Sequence, residues 1–143
     1  NNNPNEIMLM QNMGCSIGLS LHLDEKYDLI DSKTNDDLGE TSLIIASKLN
    51  FNQLVQLLID FNANVNATDN EGRSALHLCA KVNNVQASLM LIQAGANVNM
   101  QDNDEKTPLN LALNELCTRE VVNLLIENDA FLSAEDEAKF NKM

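Results

Sequence analysis

Residues 72–84 read GRSALHLCAKVNN, and related stretches stand on either side of them: GETSLIIASKLN at 39–50 and EKTPLNLALNE at 105–115. The recurrence has a fixed period, because Leu43, Leu76 and Leu109 are spaced 33 residues apart. The endings recur as well, with NANVNA at 62–67 and GANVNM at 95–100. A constant period of this length predicts an array of stacked, equivalent units.

Each unit carries the signals of a short first helix. A hydroxyl residue stands before each helix and is expected to act as its N-cap: Thr41, Ser74 and Thr107. Inside the helix a large and a small apolar residue follow at i and i+3: Leu43 with Ala46, Leu76 with Cys79, and Leu109 with Ala112. Small residues on that face let neighbouring helices approach closely, which favours stacking.

A second helix follows in each unit, after a short break. Apolar residues at i, i+3 and i+4 predict its buried face: Leu54, Leu57 and Leu58; Ala87, Met90 and Leu91; Val121, Leu124 and Leu125. Asn62, Gly95 and Asp129 are expected to end these helices in the left-handed conformation. The turn-rich stretches ATDNEGR at 67–73 and MQDNDEK at 100–106 predict hairpin loops. In the third unit one inserted residue is expected near Cys117 and Thr118.

Composition narrows the classes of function. The 143 residues have a formal net charge of −12, which opposes direct contact with nucleic-acid phosphates and favours partners with basic surfaces. No apolar run approaches the ~20 residues that a membrane helix needs. The odd set of Cys15, Cys79 and Cys117 lacks CxxC spacing, which favours the reducing cytoplasm or nucleus. Because the chain opens with NNNP, we expect it to be a fragment of a larger protein.

No arrangement of residues predicts catalysis, a cofactor or a metal. His77 and Cys79 would point about 160° apart on a helix, so they cannot act as a catalytic pair. Asp102 and Asp104 begin like a calcium loop, but Thr107 stands where that loop requires glycine. Phosphate-binding loops and metal-spaced Cys/His clusters are absent from the sequence. The chain is therefore not expected to be an enzyme.

These motifs resemble the ankyrin repeat, whose signature is G-x-TPLH-x-A with a closing GA-x-VN. The resemblance covers residues 36–132 and implies an all-α solenoid of stacked helix-turn-helix units with hairpin loops. The implied repeats are 36–68, 69–101 and 102–132. Residues 1–35 would be a degenerate preceding repeat or an insertion, and residues 133–143 the start of a terminal repeat or a capping helix. Departures from the signature are Glu105 in place of the hairpin glycine, and Ile44 and Asn110 in place of the histidine.

Two stretches are similar to the later ankyrin repeats of Notch receptor intracellular segments: NVNATDNEGRSALHLCAKVNNVQA at 64–87 and GANVNMQDNDEKTPLNLA at 95–112. That likeness implies a segment released from a membrane receptor, which enters the nucleus and assembles a transcription-activating complex. Its partners would be a DNA-binding transcription factor and a Mastermind-type coactivator. An IkappaB-like inhibitor that sequesters a transcription factor in the cytoplasm, or a generic ankyrin scaffold, remains the alternative.

A rigid row of side chains that the stack does not need is suited to binding protein. By register these partner-binding candidates are Asn70, Glu71, Arg73, Lys81, Asp104, Lys106, Asn110 and Asn114. The resemblance also makes Asn66 and Asn99 candidates for hydroxylation by an asparaginyl dioxygenase, each with a leucine eight residues earlier. The alternative is that both asparagines only hydrogen-bond the hairpin turn.

Overall fold

The structure, a computed structural model, describes residues 29–115 and 118–143. Over these ranges it contains seven α-helices and no strand, as the sequence predicts. The helices are α1 Ser42–Lys48, α2 Asn52–Asp60, α3 Ala75–Lys81, α4 Val85–Gln93, α5 Pro108–Asn114, α6 Arg119–Glu127 and α7 Ala134–Phe140. Isolated bridges between Lys33 and Thr41 and between Thr68 and Ser74 close the bases of two hairpins.

The helices pair and stack in two layers. First helices α1, α3, α5 and α7 contact one another in order, and second helices α2, α4 and α6 do the same. Within a pair the link is three residues long at 49–51 and 82–84 but four residues long at 115–118. The expected insertion therefore falls in that last link, whose residues 116 and 117 lie outside the described ranges.

Capping hydrogen bonds begin α1 and α5 where the sequence predicts, and Ser74 stands at the N-cap position of α3. The Thr41 hydroxyl accepts from the backbone N–H of Ile44 at 3.3 Å, and the Thr107 hydroxyl accepts from that of Asn110 at 3.3 Å. Before α7, the Ser133 hydroxyl accepts from the backbone N–H of Asp136 at 3.2 Å. Each cap pairs a helix donor that would otherwise have no partner inside the helix.

Left-handed residues end the second helices, as expected. The φ angles of Asn62, Gly95 and Asp129 are 63°, 93° and 66°. First helices α1 and α3 are followed by Asn50 and Asn83 with φ angles of 61° and 60°. Asparagine tolerates this conformation because its short amide can bond locally, so the chain reverses sharply after each helix.

The core is aliphatic and repeats with the sequence. Leu43, Leu76 and Leu109 are each at most 1% exposed, so the three equivalent leucines occupy equivalent environments. The small partners Ala46, Cys79 and Ala112 are all fully buried. This regularity makes the stack a rigid support for the loops that project from it.

The predicted buried face of α2 is wrong in part. Leu54 and Leu57 are 40% and 38% exposed, whereas Val55 and Leu58 are buried. The residues equivalent to Leu54 in α4 and α6, Ala87 and Val121, are fully buried. α4 and α6 each pack against a preceding second helix, whereas the described part of the chain before α1 contains only two helical residues, 29 and 30.

Candidate protein-binding surface

Three hairpins project from the stack, and we call them fingers: the first at 34–40, the second at 67–73 and the third at 100–106. An aspartate carboxylate folds each finger, because Oδ1 of Asp36, Asp69 and Asp102 accepts two backbone N–H bonds at 2.8–3.1 Å. The hydroxyl of Thr34 and the backbone N–H of Gly39 lower the pKa of the Asp36 carboxyl. None of these aspartates is among the predicted site residues, although their 33-residue spacing is a usable signal in the sequence.

Asparagines tie each finger to the one before it. Asn70 donates its backbone N–H to the carbonyl of Leu38 at 2.9 Å and its Nδ2 to that of Asp37 at 3.1 Å. Asn103 repeats this pattern. Its backbone N–H donates to the carbonyl of Glu71 and its Nδ2 donates to that of Asn70, both at 2.9 Å. One asparagine thus satisfies two consecutive carbonyls, and the fingers form a hydrogen-bonded ladder.

Glycine makes room for this ladder. Gly39 and Gly72 have φ angles of 58° and 75°, and an added Cβ would lie 2.4 Å and 2.5 Å from the Oδ1 of Asn70 and Asn103 respectively. Both the positive φ angle and the close contact disfavour a residue larger than glycine at these two positions. The third finger has Glu105 at the equivalent position, with φ of 60°.

A buried histidine joins the second unit to the third finger. His77 is fully buried, and its Nε2 lies 2.9 Å from the carbonyl oxygen of Lys106. Because a carbonyl only accepts, Nε2 carries the proton and Nδ1 accepts from the backbone N–H of Ser74 at 3.1 Å. Burial lowers the pKa of His77, so the neutral imidazole braces the turn.

The other units replace this histidine in different ways. Asn110 imitates it, since its Oδ1 accepts from the backbone N–H of Thr107 at 2.9 Å and its Nδ2 donates to Asp136 at 2.9 Å. Ile44 offers no hydrogen bond from its side chain and is fully buried in the core. At this position of the repeat, the contact with the next unit is therefore polar at His77 and Asn110 and apolar at Ile44.

The partner-binding candidates lie on the fingers and on the first helices. The second finger holds Asn70, Glu71 and Arg73, the third finger holds Asp104 and Lys106, α3 ends with Lys81, and α5 holds Asn110 and Asn114. All are exposed except Arg73 and Asn110, which are half-buried. The structure brings the finger residues together in one ladder, while the helix residues stand on neighbouring first helices.

Several of these candidates also hold the fold together. Arg73 pairs with Asp69 at 2.9 Å and with Glu71 at 2.7 Å, so the charges of the second finger are largely matched internally. Oδ1 of Asn114 accepts from the Lys139 ammonium at 3.2 Å. By contrast, Asp104 and Lys106 form no ion pair with any residue that the structure describes.

Asn66 and Asn99 bridge neighbouring units through their side chains. Oδ1 of Asn66 accepts from the backbone N–H of Asn97 at 2.7 Å, and Oδ1 of Asn99 accepts from that of Phe131 at 2.7 Å. The Nδ2 of Asn99 donates to the carbonyl of Asp129 at 2.9 Å. Both asparagines thus have the structural role that the sequence offered as the alternative, and hydroxylation stays a prediction.

Cys79 has the character of a core residue. Its burial raises the pKa of the thiol to about 12, which leaves almost no reactive thiolate at neutral pH.

Across 29–115 and 118–143, no group of three His, Cys, Asp or Glu residues is placed to hold a metal ion. Over the same ranges no helix has the length and apolar character needed to cross a membrane.

Comparison with known proteins agrees with this architecture. A sequence profile described as ankyrin repeats (3 copies) matches residues 10–102, more than half of the chain. The third unit lies almost wholly beyond that match, yet its α5 and α6 repeat the paired helices of the units before it. A search of curated proteins finds no match to the chain. The chain belongs to the ankyrin-repeat family, whose repeats are protein–protein interaction modules.

Proposed function

We propose that this module binds its partners through the fingers and the first helices, as part of a Notch-type receptor intracellular domain. There it helps to assemble a transcription-activating complex with a DNA-binding transcription factor and a Mastermind-type coactivator. The observation that carries the proposal is the sequence likeness over 64–87 and 95–112. These stretches include the whole of the second and third fingers, helix α3, the first three residues of α4 and most of α5.

The site of binding is supported by geometry. Fingers joined by asparagine bonds hold their side chains in fixed positions, so a partner meets a preorganised surface and loses less entropy on binding. The net charge of −12 favours contact with protein rather than DNA. In this proposal the module works in the cytoplasm and the nucleus, and its parent is a single-pass membrane receptor.

The asparagine-rich turn at 82–85 has a local structural role. Asn83 adopts the left-handed conformation, and the Asn84 side chain accepts from the backbone N–H of Ala87 at 3.0 Å. The Nδ2 of Asn84 also donates to Oδ1 of Asn52 at 2.7 Å. Both asparagines therefore serve the fold, and the Notch-type proposal depends on the wider stretch of likeness rather than on this turn.

A pull-down with purified components tests the proposal. The chain is offered the DNA-binding factor of the Notch pathway, with and without the coactivator, and an unrelated ankyrin array serves as the control. Enrichment over that array supports the Notch-type role. Equal recovery overturns it and leaves the IkappaB-like inhibitor or a generic scaffold.

A matched pair of variants locates the contact. Asn114 on first helix α5 and Asn123 on second helix α6 are both exposed residues of the same unit. Because a partner that lies along the first helices would contact residue 114, Asn114→Lys should weaken recovery by placing a longer, charged side chain in that contact, whereas Asn123→Lys should leave it unchanged. The reverse result would place the contact on the second helices.

The same resemblance makes Asn66 and Asn99 candidate hydroxylation sites. Protein incubated with an asparaginyl dioxygenase would gain one oxygen on the modified residue, which mass spectrometry of peptides detects. If neither asparagine gains mass while a known ankyrin substrate does, the two residues serve the turn alone.

A further inference from the structure

The array lacks a finger between its last two helices. Fourteen residues connect α2 to α3 and α4 to α5, at 61–74 and 94–107, but only six connect α6 to α7, at 128–133. Where a fourth finger would stack, the structure has a groove of about 290 Å³ beside the third finger. The groove therefore lies where the row of hydrogen-bonded fingers stops, next to the third finger.

The third finger lines the groove through Gln101 and Lys106, and its open edge carries unused hydrogen-bond acceptors. In the first two fingers the carbonyls of Asp37 and Leu38, and then of Asn70 and Glu71, accept from the following asparagine. Their equivalents on the third finger are the carbonyls of Asn103 and Asp104. No residue in the described part of the chain donates to either carbonyl. The edge continues an interface that is already used twice in the molecule.

An exposed aromatic ring stands beside the same groove. Phe131 is 74% exposed, more than any other large apolar side chain in the described residues. Its backbone N–H is held by Oδ1 of Asn99 at 2.7 Å, so the ring projects from an anchored position. Rigidly held aromatic residues are favourable anchors for a binding partner.

The shape of the edge argues against another finger as its occupant. A Cβ on Gly39 or Gly72 would collide with the asparagine of the next finger. Glu105 already has that Cβ in the same left-handed conformation, φ 60°. A finger from a second copy of the chain would therefore meet a steric block where its asparagine belongs.

Charge within the groove is balanced. Lys106 and Lys139 contribute two positive groups to its lining, and Glu135 and Asp136 contribute two negative groups. The Asp136 carboxylate is buried and already accepts from Asn110 at 2.9 Å and from Ser133 at 2.6 Å. A balanced lining favours an uncharged ligand over a strongly acidic or basic one.

We infer that this groove binds an extended, uncharged segment of a partner protein. The segment donates a backbone N–H to the carbonyl of Asp104 or Asn103 and lays an apolar side chain on Phe131. This places a strand-like ligand against an open backbone edge, as in other cases of peptide addition. The inference builds on the proposed protein-binding function and assigns one part of the partner to one part of the surface.

The test uses displayed random linear peptides selected on the whole 143-residue chain. The matched variants are Phe131→Ala and Phe51→Ala, since both phenylalanines are exposed, at 74% and 55%, and Phe51 lies at the start of α2. Selected peptides should bind Phe131→Ala at least about tenfold more weakly and bind Phe51→Ala as tightly as the original chain. Circular dichroism checks that both variants keep their helices.

Peptide chemistry tests the hydrogen bond itself. Replacing single amides of a selected peptide by esters removes one backbone N–H at a time, and at least one position should cost about tenfold in affinity. Peptides that are insensitive to Phe131→Ala, or to every ester, overturn the groove as their site. If such peptides are instead weakened by Lys81→Ala, the protein-binding surface stands and only this assignment fails. Failure to select any specific peptide overturns this inference, and the pull-down then decides separately whether the proposed function stands.

Discussion

The junction between the first and second units differs from the junction between the second and third. Asparagine ladders join the fingers at both places with nearly the same distances. Behind the ladder, the first junction has Ile44 and the second has His77, each fully buried. Only the histidine reaches the next finger, through its hydrogen bond to Lys106. One backbone arrangement is thus supported by apolar packing in one place and by a buried polar bridge in the other.

The bridge has a cost that the apolar junction does not have. A buried hydrogen bond is directional and adds specificity, but loss of one partner leaves the other unsatisfied in a low dielectric. The isoleucine contributes packing alone, and its neighbours can partly relax around a smaller side chain. The second junction should therefore be the more sensitive of the two to substitution.

The largest effect is expected for His77→Ala. It removes the brace, leaves the Lys106 carbonyl without its donor and opens a cavity, at a combined cost of about 3 kcal/mol in unfolding free energy. Ile44→Val, which only trims the apolar junction, should cost about 1 kcal/mol. Guanidinium titration followed by circular dichroism compares them. A cost for His77→Ala no larger than that for Ile44→Val would contradict the stabilising role of the histidine bridge.

Gly72→Ala should come next, at about 2 kcal/mol, because it combines left-handed strain with a forced shift of the Asn103 side chain. Gly39→Ala is the matched change at the first junction, where the added Cβ meets Asn70 at nearly the same distance. The two variants should lose similar stability in chemical denaturation. A much smaller loss at Gly39 would show that the ladders differ as the buried residues do.

Glu105→Gly should stabilise the chain by about 1 kcal/mol, because glycine adopts the left-handed conformation without the Cβ penalty. Its effect is opposite in sign to that of Gly72→Ala, although the two positions are equivalent in the repeat. Thermal and chemical denaturation both measure it. A loss of stability would mean that the Glu105 side chain makes a favourable contribution that outweighs its strain.

The smallest effect is the pH dependence of the second junction. Burial lowers the pKa of folded His77, so on acidification the unfolded chain takes up its proton first and stability falls. Between pH 7 and pH 6 one such proton contributes at most about 0.7 kcal/mol, given an unfolded pKa of ~6.5. In a His22→Gln background, His77→Asn should abolish this part of the slope. A slope that survives the substitution must come from other groups.

Much of the fold could be read from local signals. The 33-residue spacing of Leu43, Leu76 and Leu109 required no knowledge of contacts, and the hydroxyl caps and left-handed helix ends are properties of short segments. The surface was harder to predict. Their register predicts that Asn70 and Arg73 are free to bind a partner, but each also bonds another finger residue.

The period, the helix pairs and the places where helices start and stop can be predicted from the sequence, because helix signals come from residues close in the chain and recur at a fixed spacing. The buried side of α2 depends on tertiary packing, since Leu54 and Val55 are both apolar and differ in what packs against them. Tertiary packing also decides the partners of His77 and of the finger asparagines, which lie about one period away. Such pairings arise from stacking, and no local propensity specifies them.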